Sequence, residues 1–347
     1  MKHSTISLCV PTYNRADTLK QLIHSFLLQD YKHKELVISD DSSNDDVYNL
    51  ISSYKDKNIR YYRNKPSLGF PKNFLNSLLK ATGDYVITLG DDDVLFSTTT
   101  LSRYVEVFDH QPDVHFIYSN QVQFNSKGRI EANIIKFKSD TKFNKGSEGI
   151  ENMFLHSIFI GGQGFRRKTN FIALYPKLNI LHPQVQLIGS ILVKHASFGI
   201  ADECIGVRSH SDQIIFRALK DKKVQLDGDH MNIELPRIYR FLKSKYSLKN
   251  SEAIIVKQLV DNYPPVIIKE KMFVGNQIVT KYYKKFTALS QYARKSRKLK
   301  LIYYVTLFTP ASVLAVTRFV IMRAIQLINI PRFRPQEELL KKILMLS

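Results

Sequence analysis

The sequence predicts an α/β fold: a mostly parallel sheet flanked by helices, followed by a basic α-helical C-terminal region. Three observations predict it. Short apolar runs rich in β-branched residues alternate with amphipathic segments of about ten residues, a pattern typical of βαβ units. Polar clusters follow the predicted strands. From residue 231 onward the strand patterns stop and lysine-rich helical patterns remain.

The alternation can be followed element by element. We expect strands over Ser4–Val10, Leu36–Ser39, Ile59–Tyr62, Tyr85–Leu89 and Val114–Ser119, and helices over Ala16–Gln29, Asp45–Tyr54, Lys72–Ala81, Leu101–Phe108 and Ile150–His156. Apolar residues three and four apart give each helix one buried face, and in the third helix we expect Phe74, Leu75, Leu78 and Leu79 to point inward. Residues 121–145 are polar and β-prone, which predicts a hairpin or a loop over the site.

Four polar clusters, at residues 11–15, 40–45, 66–73 and 91–93, fall at the carboxyl ends of these strands. In a parallel sheet such ends meet at one edge, where ligands bind. The last cluster is three consecutive aspartates, which repel one another by about 1 kcal/mol per close pair even in water. We therefore expect a cation there, and hard oxygen ligands suit Mg²⁺ or Mn²⁺ bridging to phosphate. An acidic turn closing a strand is the alternative for the triplet taken alone.

Length and composition are compatible with an enzyme. The chain has 347 residues, 44% of them hydrophobic, enough for one large domain and a smaller one. Cys9 and Cys204 lie in apolar strand-like runs, which predicts reduced core thiols rather than a disulfide framework. No signal-peptide pattern precedes the first predicted strand, so we expect a cytoplasmic protein.

The formal charge of +20 is unevenly distributed. Residues 231–347 hold 22 Lys and Arg against 6 Asp and Glu, whereas residues 1–230 hold 29 against 25. We therefore predict two domains, 1–230 with the sheet and 231–347 with the basic helices. The field of the second domain attracts anionic surfaces.

Residues 294–330 combine a basic cluster with an apolar stretch. Arg294–Lys300 is basic, and the 17 residues Leu301–Thr317 carry no charge but include Pro310. A membrane span needs about 20 apolar residues, so a kinked hairpin or an in-plane helix on an anionic membrane is the better prediction. Core helices packed on the sheet domain are the alternative. Nucleic acid is disfavoured, because the basic residues flank an aliphatic patch and no nucleic-acid-binding motif occurs.

Four motifs occur in a fixed order: Val10-Pro-Thr-Tyr-Asn-Arg15, Asp40-Asp-Ser-Ser43, Leu68-Gly69 and Gly90-Asp-Asp-Asp93. Together they resemble the family 2 glycosyltransferases of the GT-A fold, over roughly residues 4–210. The resemblance implies a nucleotide-sugar donor, most often with uridine, a divalent metal, and inversion at the anomeric carbon. With the basic tail, it also implies a lipid-linked saccharide acceptor of the kind used in bacterial surface polysaccharide synthesis.

The resemblance implies roles for the first two loops. Pro11, Tyr13 and Arg15 match the loop that holds the nucleotide base and phosphates, and packing under the sheet edge is the alternative for Tyr13. Asp41 matches the carboxylate that accepts a hydrogen bond from the base, whereas Asp40 is an alternative helix cap.

The resemblance also covers the acidic triplet and its surroundings. Asp93 is the expected metal ligand, and Asp91 and Asp92 are shared between ribose, sugar and metal. Lys72 or Asn73 lies where relatives approach the diphosphate or sugar, and a solvated lysine is the alternative.

The segment Phe159–Lys168 contains three glycines, among them Gly162, which would let a sugar approach the backbone closely. The resemblance implies a strand here whose backbone faces donor and acceptor. A glycine-rich bend between strands is the alternative. No GxGxxG or P-loop pattern opens a helix here, so a dinucleotide or triphosphate site is not indicated.

The catalytic base is not marked by a carboxylate where similar enzymes have one. Similar enzymes place Asp or Glu near a helix start roughly ninety residues past the metal motif, but Asn179–Gln186 contains no carboxylate. His182 is the nearest competent base, with an ordinary pKa of about 6.5, and a residue that only starts the helix is the alternative. Asp202 and Glu203 are the substitutes, in what looks like a turn between two strands. Arg208 ends the next strand and would stabilise the leaving diphosphate, and a surface polar group is the alternative.

Two other functions remain open at this stage. A nucleotidyltransferase also uses Asp with Mg²⁺, but it would need a Gly-rich basic loop after the first strand, where this chain has Pro-Thr-Tyr-Asn-Arg. A non-enzymatic basic protein that binds membrane or nucleic acid would give no reason for three aspartates at a strand end.

Overall fold

The computed structural model describes residues 3–167, 183–209, 231–246, 248, 251–261, 271, 275–314, 316 and 336–345. Its strands are β1 (Ile6–Thr12), β2 (Lys34–Asp40), β3 (Ile59–Arg63), β4 (Tyr85–Thr88), β5 (Val94–Leu95), β6 (Val114–Phe124), β7 (Ile130–Ile134), β8 (Thr141–Phe143), β9 (Gln163–Arg166) and β10 (Ala196–Arg208). Its helices are α1 (Ala16–Leu27), α2 (Asp46–Ser52), α3 (Phe70–Lys80), α4 (Thr100–His110), α5 (Ser147–Met153), α6 (Pro183–Lys194), α7 (Met231–Lys245), α8 (252–261), α9 (Asn276–Leu289), α10 (Gln291–Lys295), α11 (Arg297–Phe308) and α12 (336–344), with a 3₁₀ turn at Phe154–Ile158.

The ten strands form one sheet in the order β3-β2-β1-β4-β9-β6-β10-β5, with β7 paired to β6 and β8 to β10. The pairs β1–β2, β1–β4, β2–β3 and β6–β10 are parallel. Strand β9 runs antiparallel to both β4 and β6, so those two strands point the same way. Six strands therefore end at one edge of the sheet, and the mostly parallel α/β fold is confirmed.

Three local expectations need correction or confirmation. Leu79 is 47% exposed, because the buried face of α3 is instead formed by Asn73, Phe74, Ser77 and Leu78. Asn73 is polar, and its inward position depends on hydrogen bonds that no periodicity reveals. Residues 201–204 form no turn between two strands: they lie within the single strand β10, whose register against β6 shifts there. The hairpin expected within residues 121–145 is present as β6–β7.

Alternation along the strands gives the sheet two buried faces. Leu8 and Val10 of β1 pack with α1, α2 and α4, whereas Cys9 faces the opposite layer with α3, α5 and α6. Cys9 and Cys204 are both buried and free, as expected for core thiols.

The C-terminal helices pack on this same core. Leu235 and Ile238 of α7, with Val279 and Phe286 of α9, join one apolar cluster with sheet residues such as Phe116. The last helix, α12, places Leu340, Ile343 and Leu344 against β5 and β6. The division at residue 230 stays a prediction, and the core described here extends across it.

Helix α11 is fixed at its C-terminus by a buried lysine. Nζ of Lys271 donates to the carbonyl oxygens of Thr306 (2.5 Å), Leu307 (3.0 Å) and Thr309 (2.6 Å). A cation at these otherwise unpaired carbonyls also complements the helix dipole. No helix within the described residues has the length and apolarity needed to cross a membrane.

Candidate active site

The acidic triplet lies beside the loop that follows β1, because β1 and β4 are parallel neighbours. Asp91 Oδ2 accepts hydrogen bonds from Thr12 Oγ1 (2.8 Å) and the Tyr13 backbone N–H (3.3 Å). Arg15 Nη1 donates to Asp91 Oδ1 at 3.1 Å and also contacts the Asp92 carboxylate. The first and last of the four polar clusters therefore meet.

Burial makes the acidic cluster electrostatically costly. It raises the pKa of Asp91 to about 6; the charge of Asp92 adds to this, and Arg15 opposes it. Burial and the charge of Asp92 likewise raise the pKa of Asp93 well above its ordinary value. Two carboxyls that resist ionisation at one strand end are typical of a functional site rather than a structural turn.

The two carboxylate oxygens of Asp93 differ in their hydrogen bonds. Its Oδ1 accepts the Arg208 backbone N–H at 3.1 Å, and Arg208 Nε donates to the Asp92 carbonyl at 3.1 Å. Its Oδ2 accepts no hydrogen bond from any described residue and lies between two glycines. A Cβ atom on Gly90 would come within 2.9 Å of this oxygen, and one on Gly161 within 3.2 Å.

The donor set at this edge is compatible with Mg²⁺ or Mn²⁺. Three aspartates and two arginines leave a formal charge of about −1, and Asp93 Oδ2 is an unused hard oxygen ligand. The described residues include no cluster of three His, Cys, Asp or Glu that could enclose an ion. An ion here would therefore need one or two carboxylates completed by phosphate oxygens and water, the usual arrangement for Mg²⁺.

Asp41 organises the neighbouring loop in this structure. Its carboxylate accepts hydrogen bonds from Asn64 Nδ2 (2.8 Å), Ser67 Oγ (3.1 Å) and the Leu68 backbone N–H (3.1 Å). Asn64 also donates to Asn73 Oδ1 at 3.0 Å. Asp40 does not cap the following helix, because its oxygens accept from the Ser42 backbone N–H and the Tyr61 hydroxyl.

The other residues of the predicted donor site differ in their exposure. Pro11 is buried within β1, and Tyr13 is 47% exposed, so its ring does not pack under the sheet. Asn73 is buried and donates to the Thr12 carbonyl at 3.2 Å, which ties α3 to the first loop. Lys72 is exposed, and none of its described contacts joins it to the acidic cluster.

In the glycine-rich segment, Gly161 rather than Gly162 borders Asp93. Gly162 has φ of +81°, its N–H donates to the Thr88 carbonyl, and its own carbonyl accepts the Tyr104 hydroxyl at 2.7 Å. A Cβ atom there would come within 2.7 Å of Ile205. The conformation and the packing both require glycine at 162.

Two glutamines fix the approach to this segment. Gln163 Nε2 donates to the carbonyls of Ser157 (3.0 Å) and Phe159 (2.6 Å), and Gln184 Nε2 donates to the Ile158 carbonyl at 2.9 Å. Gln184 lies in the first turn of α6, so the start of that helix contacts the 3₁₀ turn that precedes the glycines. His182 immediately precedes α6 in the chain and lies outside the described residues.

The structure places Asp202 and Glu203 away from this cluster. Both precede Arg208 on β10, by six and five residues, which at about 3.3 Å per residue separates them from it by roughly 16–20 Å. Arg103 Nε binds Asp202 at 2.8 Å on the outer surface, and Glu203 accepts from Asn133 at 3.5 Å. These positions make both unsuitable as bases for a reaction at Asp93.

Sequence reasoning missed a polar and aromatic wall on β6. Gln121 Nε2 donates to the Gly161 carbonyl (2.9 Å) and to the Tyr118 hydroxyl (2.8 Å), and the ring of His156 stacks on Tyr118 at 5.1 Å between centroids. Burial lowers the pKa of His156 to about 3, so this imidazole is neutral and a poor proton acceptor at pH 7. No spacing signal links these residues to the triplet, because only the sheet order joins β6 to β9.

Comparison with known proteins agrees with this geometry. The model of "Glycosyl transferase family 2" matches residues 7–168. A Campylobacter jejuni GalNAc(5)-diNAcBac-PP-undecaprenol beta-1,3-glucosyltransferase is 32% identical over 162 residues, which are 45% of this chain and 49% of that protein. The Escherichia coli UDP-Glc:alpha-D-GlcNAc-diphosphoundecaprenol beta-1,3-glucosyltransferase WfaP is 34% identical over 115 residues, 33% of this chain and 45% of that one.

The matched segments thus span about half or less of the length of these two curated relatives. Among solved structures, S. aureus TarS 1-349 in complex with UDP-GlcNAc superposes with a TM-score of 0.53 at 17% identity, covering 87% of this chain and 90% of that one. This likeness concerns the fold. Residues 7–168 therefore form a glycosyltransferase family 2 domain, and the chain has a GT-A fold.

Proposed function

We propose that the chain is a metal-dependent, inverting glycosyltransferase that moves a sugar from a nucleotide-sugar donor to a hydroxyl of a saccharide acceptor. The observation that carries the proposal is the meeting of the strand-end loops around Asp91, Asp92 and Asp93 within a family 2 domain. Arg15 and Arg208 compensate most of the negative charge there, so a dication with a diphosphate can be accommodated.

The donor would lie along the edge from Tyr13 to Asp93. The exposed ring of Tyr13 offers a stacking surface for the base, and Asp41 with its loop residues Ser67 and Leu68 offers polar groups at its rim. A base that bonded Asp41 directly would have to replace one of the donors that this carboxylate now accepts. The name of WfaP gives UDP-Glc as its donor, which supports a UDP-sugar as the first donor to test.

Asp93 Oδ2, with Asp91 after rearrangement of Arg15, would hold the divalent ion. When bound to the donor diphosphate, such an ion supplies positive charge for the leaving group. Arg208, next to Asp93, would contribute a second positive charge to the departing diphosphate.

The acceptor hydroxyl oxygen would form its bond to the anomeric carbon as the carbon–diphosphate bond breaks on the opposite face. Its proton must then pass to a base, and we assign this role to His182, which precedes the helix start that Gln184 anchors to Ile158. The low pKa of His156 argues against that histidine as the base.

We further propose a lipid-linked saccharide acceptor and peripheral attachment to the inner face of the cytoplasmic membrane. The names of two relatives place their acceptors on undecaprenol diphosphate. The 22 Lys and Arg among residues 231–347 of this chain would favour an anionic membrane surface. Synthesis of a bacterial surface polysaccharide is the process that combines these properties.

The first experiment is hydrolysis and transfer with a panel of nucleotide sugars in Mn²⁺ or Mg²⁺. We expect turnover of at least one donor that EDTA abolishes and that Asp93→Ala lowers at least 10²-fold. Asp113→Ala, at an exposed aspartate paired with Lys142, is the matched control and should retain activity. Full activity of Asp93→Ala, or no metal-dependent nucleotide binding by the wild type, would reject the proposal.

The base assignment needs a separate test. His182→Ala should lower turnover at least 10²-fold and remove the acidic limb of the pH–rate profile, while donor affinity stays within about threefold. A near-normal rate with an unchanged profile would exclude His182.

A further inference from the structure

Helix α11 shows its apolar side to solvent. Leu301, Tyr304, Val305 and Phe308, hereafter the apolar stripe, are 64%, 45%, 52% and 75% exposed. Their spacing of three, four and seven residues puts them on one face, about 10 Å long at 1.5 Å per residue. The opposite face of α11 packs inside the protein, where Leu299 and Thr306 are buried.

Basic residues border the stripe. Arg297 lies one turn before Leu301 on the same face, and Lys298 and Lys300 flank it on either side at about 100° per residue. All three are exposed, although Lys298 also contacts Asp261. The sequence from 271 to 336 contains 13 Lys and Arg and no Asp or Glu, so no acidic residue of this segment opposes the field.

Aromatic rings extend the surface toward α9. Tyr303 stacks on Tyr283 at 4.0 Å between centroids, and the ring of Tyr304 lies parallel to that of Phe308 at 6.2 Å. Tyrosine is favoured where an apolar phase meets water, since its ring can be buried while its hydroxyl stays hydrated. The helix is also held in place, because Lys271 binds its last carbonyls.

We infer that the apolar stripe docks on the surface of an anionic lipid bilayer. Phe308 and Val305 enter the acyl boundary, and Arg297 and Lys300 bind headgroup phosphates. An apolar face with a positive border matches a bilayer surface better than nucleic acid, whose bases can stack on Phe308 but offer no apolar partner for the aliphatic Leu301 and Val305. The biological sense of the inference rests on the proposed lipid-linked acceptor, but its test does not depend on turnover.

The chain contains no tryptophan, so a single one can report on the stripe. The emission of Phe308→Trp should shift to shorter wavelength with vesicles of equimolar phosphatidylcholine and phosphatidylglycerol, and brominated lipid should quench it. Leu79→Trp is the control, since Leu79 is also an exposed apolar residue, on α3 and far from the stripe in sequence; its emission should not change. An unshifted emission of the Phe308→Trp variant, or an equal shift at both sites, would overturn the inference.

Co-sedimentation with the same vesicles then separates the two contributions. The double variant Leu301→Ser/Phe308→Ser should bind at least tenfold more weakly, because two exposed apolar side chains are lost. Arg297→Gln/Lys300→Gln should lose about fivefold per charge, whereas Lys32→Gln/Lys127→Gln, also at exposed lysines, should bind like the wild type. Equal binding of the stripe variant, or equal binding of the wild type to pure phosphatidylcholine, would contradict the inference.

Donor hydrolysis by the same proteins keeps this inference apart from the proposed function. The stripe variant should hydrolyse the donor at the wild-type rate, which also shows that it is folded. If the wild type binds vesicles but hydrolyses no donor, the proposed function is rejected and the evidence for membrane docking is unaffected. If sedimentation showed a dimer that the stripe variant converts to monomer, a second copy would cover the stripe and the membrane inference would be wrong.

Discussion

Asp93→Asn should make the metal-free protein more stable while it abolishes transfer. The side chain is buried, and its pKa is raised by burial first and by the neighbouring Asp92 second. Asparagine is nearly isosteric and can still accept the Arg208 backbone N–H at Oδ1. The substitution therefore removes the buried charge with little change in packing.

The sign of the pH dependence follows from linkage. A carboxyl whose pKa is higher in the folded state than in the unfolded state destabilises the fold when it must ionise. That penalty is absent below the ordinary pKa of about 4, grows as the pH rises, and is complete above the raised pKa. Each unit of pKa corresponds to about 1.4 kcal/mol, and the lost attraction to Arg208 offsets part of the gain. We expect a net gain of about 1–3 kcal/mol at pH 8, and almost none at pH 4.

The measurement is urea unfolding of both proteins between pH 4 and pH 8 in EDTA. Asp113→Asn is the control of opposite sign, because the ion pair with Lys142 lowers the pKa of that exposed carboxyl. Loss of this ion pair should destabilise the protein by no more than about 0.5 kcal/mol at pH 8, and the effect should be smaller still at low pH. A destabilised Asp93→Asn at pH 8, or a difference from the wild type that is the same at pH 4 and pH 8, would refute the reasoning.

Four further predictions concern other parts of the molecule. Arg15→Met should destabilise the protein by about 2–4 kcal/mol in urea unfolding at pH 8. The loss of stability should be smaller at pH 5, because Asp91, with its pKa of about 6, is then protonated. An equal loss at both pH values would contradict the charge pairing. Tyr13→Ala should raise the donor KM about tenfold and Tyr13→Phe should not, because base stacking is worth about 1–3 kcal/mol; equal KM values would exclude stacking. Lys271→Met should speed amide exchange in the last turn of α11 at least tenfold, and unchanged protection would mean that the lysine does not hold that turn. Removal of residues 336–347 should lower the urea midpoint of the whole fold, since α12 buries three apolar side chains against β5 and β6; an unchanged midpoint would show that α12 is dispensable.

The elements on which the site depends were predictable because local signals mark them. Period-two and period-3.6 patterns place the strands and helices, and polar residues mark the point at which each strand ends. The meeting of Arg15 with Asp91 follows from one topological rule, the common edge of parallel strands. This rule predicts which polar clusters lie close together, but not which of their atoms are in contact.

The remaining features depend on contacts between segments far apart in the chain. The Asp41 carboxylate accepts hydrogen bonds from a loop more than twenty residues further along the chain. These bonds form only because the fold brings Asn64 and Leu68 back beside Asp41. Gly161 and Gly162 are adjacent and chemically identical, but the backbone entering β9 turns one toward Asp93 and the other toward Ile205. Asp202 resembled a base because the sequence does not reveal its ion pair with Arg103.

The C-terminal region connects the site to the surface that we propose for the membrane. Gln21 on α1 donates to the Leu344 carbonyl of α12, and the same side chain accepts a hydrogen bond from Arg208, which contacts Asp92 and Asp93. The stripe on α11 belongs to helices that share their core with Phe116 and Phe165 of the sheet. Deleting residues 294–347 would therefore disturb the donor site as well as remove the stripe. Loss of membrane binding in such a truncation would not identify the docking surface, whereas substitutions at Leu301 and Phe308 change that surface alone.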